Sequence, residues 1–145
     1  MGLGLEFFQF DTCAYPKDER IILYELPKIV EQSYAEAVKC EKAKAYIACT
    51  VMVGRALEAV CKDFVPETKT IHHGLKKMNE NGFVSEEILE WANELKYLRN
   101  HGAHASNIEI SDKDSKDALD FLQAILEILY HLRPRFNDIK NRHSK

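Results

Sequence analysis

From residue 27 onward the apolar residues recur three and four apart, a spacing that gathers them on one side of a helix. Pro27 suits a first helical turn, where its missing N–H costs nothing. Behind it Val30, Tyr34, Ala37 and Val38 form one apolar face. A second helix is expected from about Ala43 to Phe64. Apolar residues surround it, among them Tyr46, Ile47, Val51, Val53, Leu57 and Val60, so it should be central and buried on most sides. A short third helix carries Ile71, Leu75 and Met78 and stops at Asn81-Gly82, a C-terminal glycine signal. Ser85 caps a fourth, with Glu86 and Glu87 favourable in its first turn. Its inward stripe is Ile88, Trp91, Ala92, Leu95 and Leu98, and it should end at about 100–102, where Gly102 permits a sharp exit. Ser111 and Asp114 open the last helix as a capping-box-like pair. That helix bears Leu119, Phe121, Leu122, Ile125, Leu126, Ile128, Leu129 and Leu132, a stripe wider than one bundle seam requires. Part of it is therefore expected to face a second subunit.

The two ends read differently. Leu3, Leu5 and Phe7 alternate, Tyr15-Pro16-Lys17-Asp18 is a turn signal, and Ile21-Ile22-Leu23-Tyr24 favours extended chain. Residues 1–25 are thus expected to form an N-terminal arm or hairpin. The chain from Arg133 onward is basic and reads as frayed, with 137–145 a basic flexible tail. Between them, residues 26–136 read as one all-α domain, a four- to five-helix up-and-down bundle.

Composition narrows the chemistry. No apolar run in the 145 residues approaches the roughly 20 needed to span a bilayer. The start has no basic region ahead of an apolar stretch, so no secretory signal or membrane partner is expected and the chain reads as cytoplasmic. Cys13, Cys40, Cys49 and Cys61 form no C-x-x-C pair and read as buried, reduced thiols. A net charge of −3 argues against a strong non-specific grip on nucleic acid, though it leaves room for a local site.

The segment Arg99-Asn100-His101-Gly102-Ala103-His104 carries the most chemistry. Arginine offers a permanently charged planar fork that fits a phosphate. Histidine moves a proton near neutral pH. Asn100 can hold an imidazole tautomer or a substrate oxygen. RNA brings its own nucleophile, the 2′-hydroxyl, so its cleavage needs little beyond a base, an acid and a stabiliser for the anionic transition state. Arg99 and His104 cover two of those roles. His101, or a second copy of the segment in a symmetric dimer, would supply the third. Arg55 and Glu58, the only charged residues between Lys44 and Lys62, stand three apart on the central helix. They read as a structural ion pair, or with Arg55 reaching a groove beside the motif to hold a phosphate. His101 with His104, or His72-His73, lacks the carboxylate or Cys pattern of a metal site, so no metal and no cofactor is expected.

Arg99-Asn100-x-x-x-His104 matches the R-x4-6-H signature of the HEPN superfamily, with the polar residue directly after the arginine. The surrounding chain resembles one HEPN-like family, a domain of unknown function found alone or attached to restriction and other defence proteins. The resembling segments are Ser33-Tyr34-Ala35-Glu36-Ala37, then Gly54 through Cys61, then Asn93 through His104. The resemblance covers about 26–136 and implies a helical bundle, usually dimeric, with two arginine–histidine motifs facing each other. It further implies a metal-independent endoribonuclease. Arg99 would stabilise the scissile phosphate, His104 would handle the proton, and Asn100 would orient the pair. His101 and Arg55 would contact RNA. The partners it implies are a second copy of the chain, RNA, and a cognate antitoxin or defence-system protein. Members of this family often lack the arginine, which supports the alternative of a non-catalytic dimerisation or binding module.

Overall fold

The apolar helix predicted to be central is central: in the computed structural model, α2 (Tyr46–Phe64) touches four other helices. Residues 20–105 and 107–144 are described by the structure. Around α2 lie α1 (Lys28–Lys42), α3 (Ile71–Glu80), α4 (Glu86–Ala103) and α5 (Asp112–Leu126). The described residues form an all-helical bundle without a strand. Val53, Leu57 and Val60 of α2 share one core with Leu95 of α4 and with Leu119 and Leu122 of α5. Fully burying one such side chain stabilises the fold by about 1.5–3 kcal/mol, so packing rather than helix propensity fixes how the helices cross.

α2 starts at Tyr46, three residues later than the apolar pattern suggests, because the chain reverses through Lys44 in the left-handed region (φ 63°). The helix is also open along one side. Ile47 is 57% exposed, Arg55 is exposed, and Val51, Glu58 and Ala59 are half-buried. These positions follow each other at helical spacing, so they make a single uncovered stripe.

The starts of α3, α4 and α5 are set by side-chain caps. Thr70 Oγ1 accepts the His73 N–H at 3.0 Å, and Ser85 Oγ accepts the Ile88 N–H at 3.2 Å. At α5 the predicted box is present: Ser111 Oγ accepts the Asp114 N–H at 3.1 Å and Asp114 Oδ2 accepts the Ser111 N–H at 2.9 Å. Each such cap contributes about 1 kcal/mol. Gly82, at φ 81°, ends α3 as its position after Asn81 suggests.

α5 runs on through a π-helical stretch, Glu127–Leu132, into α6 (Arg133–His143). The residues read as a frayed tail from Arg133 therefore continue a helix. Apart from Arg133 at its start, which reaches Gly82 and Phe83, it packs on the stretch before it, and it contains no buried residue. Of the wide apolar stripe, Leu119, Leu122, Ile125, Leu126 and Leu129 are buried in the chain's own core, whereas Phe121 and Leu132 stay exposed.

The hairpin read from the start of the chain lies in residues 1–19, outside the described residues. Residues 20–27 are irregular, with a bend at Tyr24 and no strand. Their burial alternates: Ile22, Tyr24 and Leu26 are half-buried, while Ile21, Leu23 and Glu25 are exposed. Arg20 ties this segment to α5 by donating to Asp120 Oδ1 at 2.8 Å and to Gln123 Oε1 at 3.1 Å. The Tyr24 ring stacks on His131, with centroids 5.0 Å apart.

Candidate functional site

The second half of α4 crosses α2 at two glycines. A Cβ built on Gly54 of α2 would lie 2.0 Å from Cγ and 2.6 Å from Cβ of Arg99. One built on Gly102 of α4 would lie 2.5 Å from Thr50 Oγ1. At Gly54 only a residue without a side chain permits this approach, whereas at Gly102 a side chain would require the Thr50 hydroxyl to give way. A glycine inside a helix costs about 1 kcal/mol relative to alanine, so its presence mid-helix already signals a close contact. The consequence at Gly54 is that the stem of Arg99 is seated on α2 and its direction is fixed near the backbone. Arg99 Nη1 donates to Asn100 Oδ1 at 3.3 Å. No ion pair involves Arg99 among the described residues.

Two hollows flank Arg99. The larger, about 790 Å³, lies over the open stripe of α2 and the start of α1, lined by Lys28, Ile29, Val51, Arg55 and Ala59 among others. The smaller, about 270 Å³, adds Lys69, Thr70, His72, Lys96 and Asn100. Arg99 and Glu58 line both. Six cationic side chains (Lys28, Arg55, Lys62, Lys69, Lys96 and Arg99) thus meet only two carboxylates, Glu58 and Asp63. Both carboxylates are engaged already: Glu58 pairs with Lys62 at 3.2 Å, and Asp63 accepts the Tyr130 hydroxyl at 2.9 Å. A chain of net charge −3 therefore concentrates positive charge on one face, the setting in which an anion binds.

This arrangement corrects the expected Arg55–Glu58 pair. Glu58 turns to Lys62, four residues on, the favourable orientation for a Glu–Lys pair on a helix. Arg55 is exposed and has no carboxylate partner among the described residues. It lies on the groove beside Arg99.

The predicted site residues fall into two groups. Arg99, Asn100 and Arg55 line the hollows. His101 is half-buried, its ring edge-on to Tyr97 of the preceding turn with centroids 4.3 Å apart. His104 is the first residue past α4, exposed and extended, its N–H donating to Asn100 O at 3.1 Å. It lines neither hollow. Gly102, read as the helix exit, is inside α4; the helix runs to Ala103 because Gly102 serves the close approach to Thr50 instead. Sequence reasoning missed Gly54, for which the mid-helix glycine was the available signal. It also missed Lys28, Lys69 and Lys96, which only the fold brings to Arg99.

His72 lines the smaller hollow, whereas Cys49, Cys61 and His73 are engaged elsewhere. Burial pushes the thiols of Cys49 and Cys61 up to about 12, so neither is a thiolate near neutral pH. His73 Nδ1 lies 3.2 Å from Thr68 Oγ1. Among the described residues no group of three or more His, Cys, Asp or Glu side chains could hold a metal ion. None of the described helices is long and apolar enough to cross a membrane.

Residues 35–142 match the family described as domain of unknown function DUF4145. The chain belongs to this family. Within DUF4145 the matched span takes in α2 through α5, and with them the glycine crossing and the whole Arg99–His104 segment. Lys28 and Ile29, which close the larger hollow, precede it. No curated protein and no solved structure matches the chain.

Proposed function

We propose that this DUF4145 chain is a metal-independent endoribonuclease of HEPN type that works as a dimer, in defence, toxin–antitoxin or stress-response settings. One observation carries the reading: Arg99 is seated on Gly54, has no carboxylate partner among the described residues, and stands between two cation-rimmed hollows. A guanidinium so placed suits the equatorial oxygens of a phosphate undergoing displacement. The 2′-oxygen of the RNA attacks the adjacent phosphorus and the bond to the 5′-oxygen breaks. The 2′-hydroxyl gives up one proton and the leaving oxygen takes one up. His104 suits that proton transfer by chemistry, but its own chain keeps it out of Arg99's hollows. The reading therefore has His104 of the partner subunit complete the site, which makes dimerisation part of the mechanism. Exposed Phe121 and Tyr97 offer apolar surface for that contact.

The test is cutting of single-stranded RNA in EDTA by wild type, Arg99→Ala and His104→Ala. Loss of one transition-state donor lowers turnover by about 100- to 1,000-fold. Cutting at wild-type rates by either variant contradicts the proposal. That His104 lines neither hollow beside Arg99 also favours a second reading, a non-catalytic module that binds RNA or a defence protein. That module would bind its partner with Arg99 removed and would cut nothing.

A further inference from the structure

We infer that the larger hollow is a base pocket: it takes one unstacked nucleobase of the strand whose phosphate Arg99 holds. The inference rests on the reading of Arg99 as a phosphate ligand and adds what lies beside that phosphate. The floor is aliphatic, built from Ile29, Val51 and Ala59. Four cations line it, Lys28, Arg55, Lys62 and Arg99, against the carboxylates Glu58, which pairs with Lys62, and Asp63, which accepts the Tyr130 hydroxyl and keeps its charge, so cations exceed anions by two. An apolar bed with an uncompensated cationic rim fits a ligand that is flat and apolar at one end and anionic at the other. Free phosphate would use the rim and waste the floor. An apolar peptide would use the floor and leave the cationic excess unmatched. A nucleotide unit uses both, because its base lies on aliphatic and guanidinium surfaces while its phosphate meets the arginines. The volume, about 790 Å³, falls in the range of about 300–1,000 Å³ that accepts small-molecule ligands. Ile29 is 53% exposed, so its side chain is open to a ligand arriving from solvent.

The experiment is calorimetric titration of the full chain with adenosine 5′-monophosphate, uridine 5′-monophosphate and inorganic phosphate. The wild type is expected to bind at least one mononucleotide about tenfold or more tightly than phosphate, the contribution of burying one base face on aliphatic surface. Ala59→Phe fills the floor and should erase that preference while leaving phosphate affinity in place. Ile29→Ala, at a half-exposed position that the core does not need, should reduce it. Arg55→Ala should weaken mononucleotide and phosphate alike. Equal affinity for nucleotide and phosphate, or a preference untouched by both floor variants, overturns the base pocket. RNA cutting measured on the same preparations separates the two readings. Cutting without a nucleotide preference sinks the pocket alone, and a nucleotide preference without cutting sinks the nuclease alone.

Discussion

Arg99 and His104 are five residues apart in sequence and stand in opposite physical settings. Arg99 belongs to the α2–α4 crossing, where Gly54 leaves room for its stem and for nothing else. His104 belongs to the exit of α4, where the helix has ended and the side chain is exposed. The fold therefore spends its closest packing on one half of the motif and none on the other. A catalytic pair held for use within one chain would need both halves positioned, since small misplacements cost rate steeply. On the proposed reading, the second half of the site would be positioned by something outside the chain, with a second copy of the motif the simplest source.

Three substitutions break or sharpen this contrast. Gly54→Val should have the largest effect. Its Cβ would lie 2.0 Å from Arg99 Cγ, close to the backbone, where neither side chain can swing away. Overpacking of this kind costs on the order of 2 kcal/mol, read as a lower denaturant midpoint. It should also displace the Arg99 head and lower RNA affinity. Gly102→Ala should be much milder. Its Cβ would meet Thr50 Oγ1 at 2.5 Å, and that hydroxyl, which donates to Ile47 O at 2.9 Å, can rotate away. The helix propensity regained, about 1 kcal/mol, offsets most of the lost bond, so the midpoint should shift by less than about 1 kcal/mol. A Gly102→Ala loss equal to that of Gly54→Val would erase the distinction between the two ends. His104→Ala should leave stability within about 0.5 kcal/mol of wild type, as befits an exposed side chain outside the helix. A large loss of stability there would show that His104 is a structural residue after all.

The bundle was legible in sequence because each helix needs an apolar face, and a face leaves a spacing of three and four. The caps were legible too, since Ser85, and Ser111 with Asp114, act on backbone within one turn of themselves. What a residue does across a helix crossing was not legible. Gly102 could be read only against its own helix, where glycine suggests an end, whereas its role is set by Thr50 of α2. Glu58 had two cations within reach, Arg55 and Lys62, and helical geometry favours the one four residues on. The cationic rim is assembled from α1, α2, α4 and the loop before α3, so no local window of sequence contains it. Arg133 shows the same limit: its guanidinium donates to Gly82 O at 3.1 Å and stands 5.0 Å from the Phe83 ring centroid, contacts that bind the start of α6 to the end of α3.

The central claim, that each chain carries half a site, is tested most directly by mixing two inactive variants. Arg99→Ala and His104→Ala are purified separately, unfolded, mixed in equal amounts and refolded together, and RNA cutting in EDTA is compared with each variant alone. If the site joins Arg99 of one chain to His104 of the other, half the dimers are mixed and each has one intact site, giving about a quarter of wild-type activity. No recovery in a mixture shown to contain mixed dimers would contradict the account.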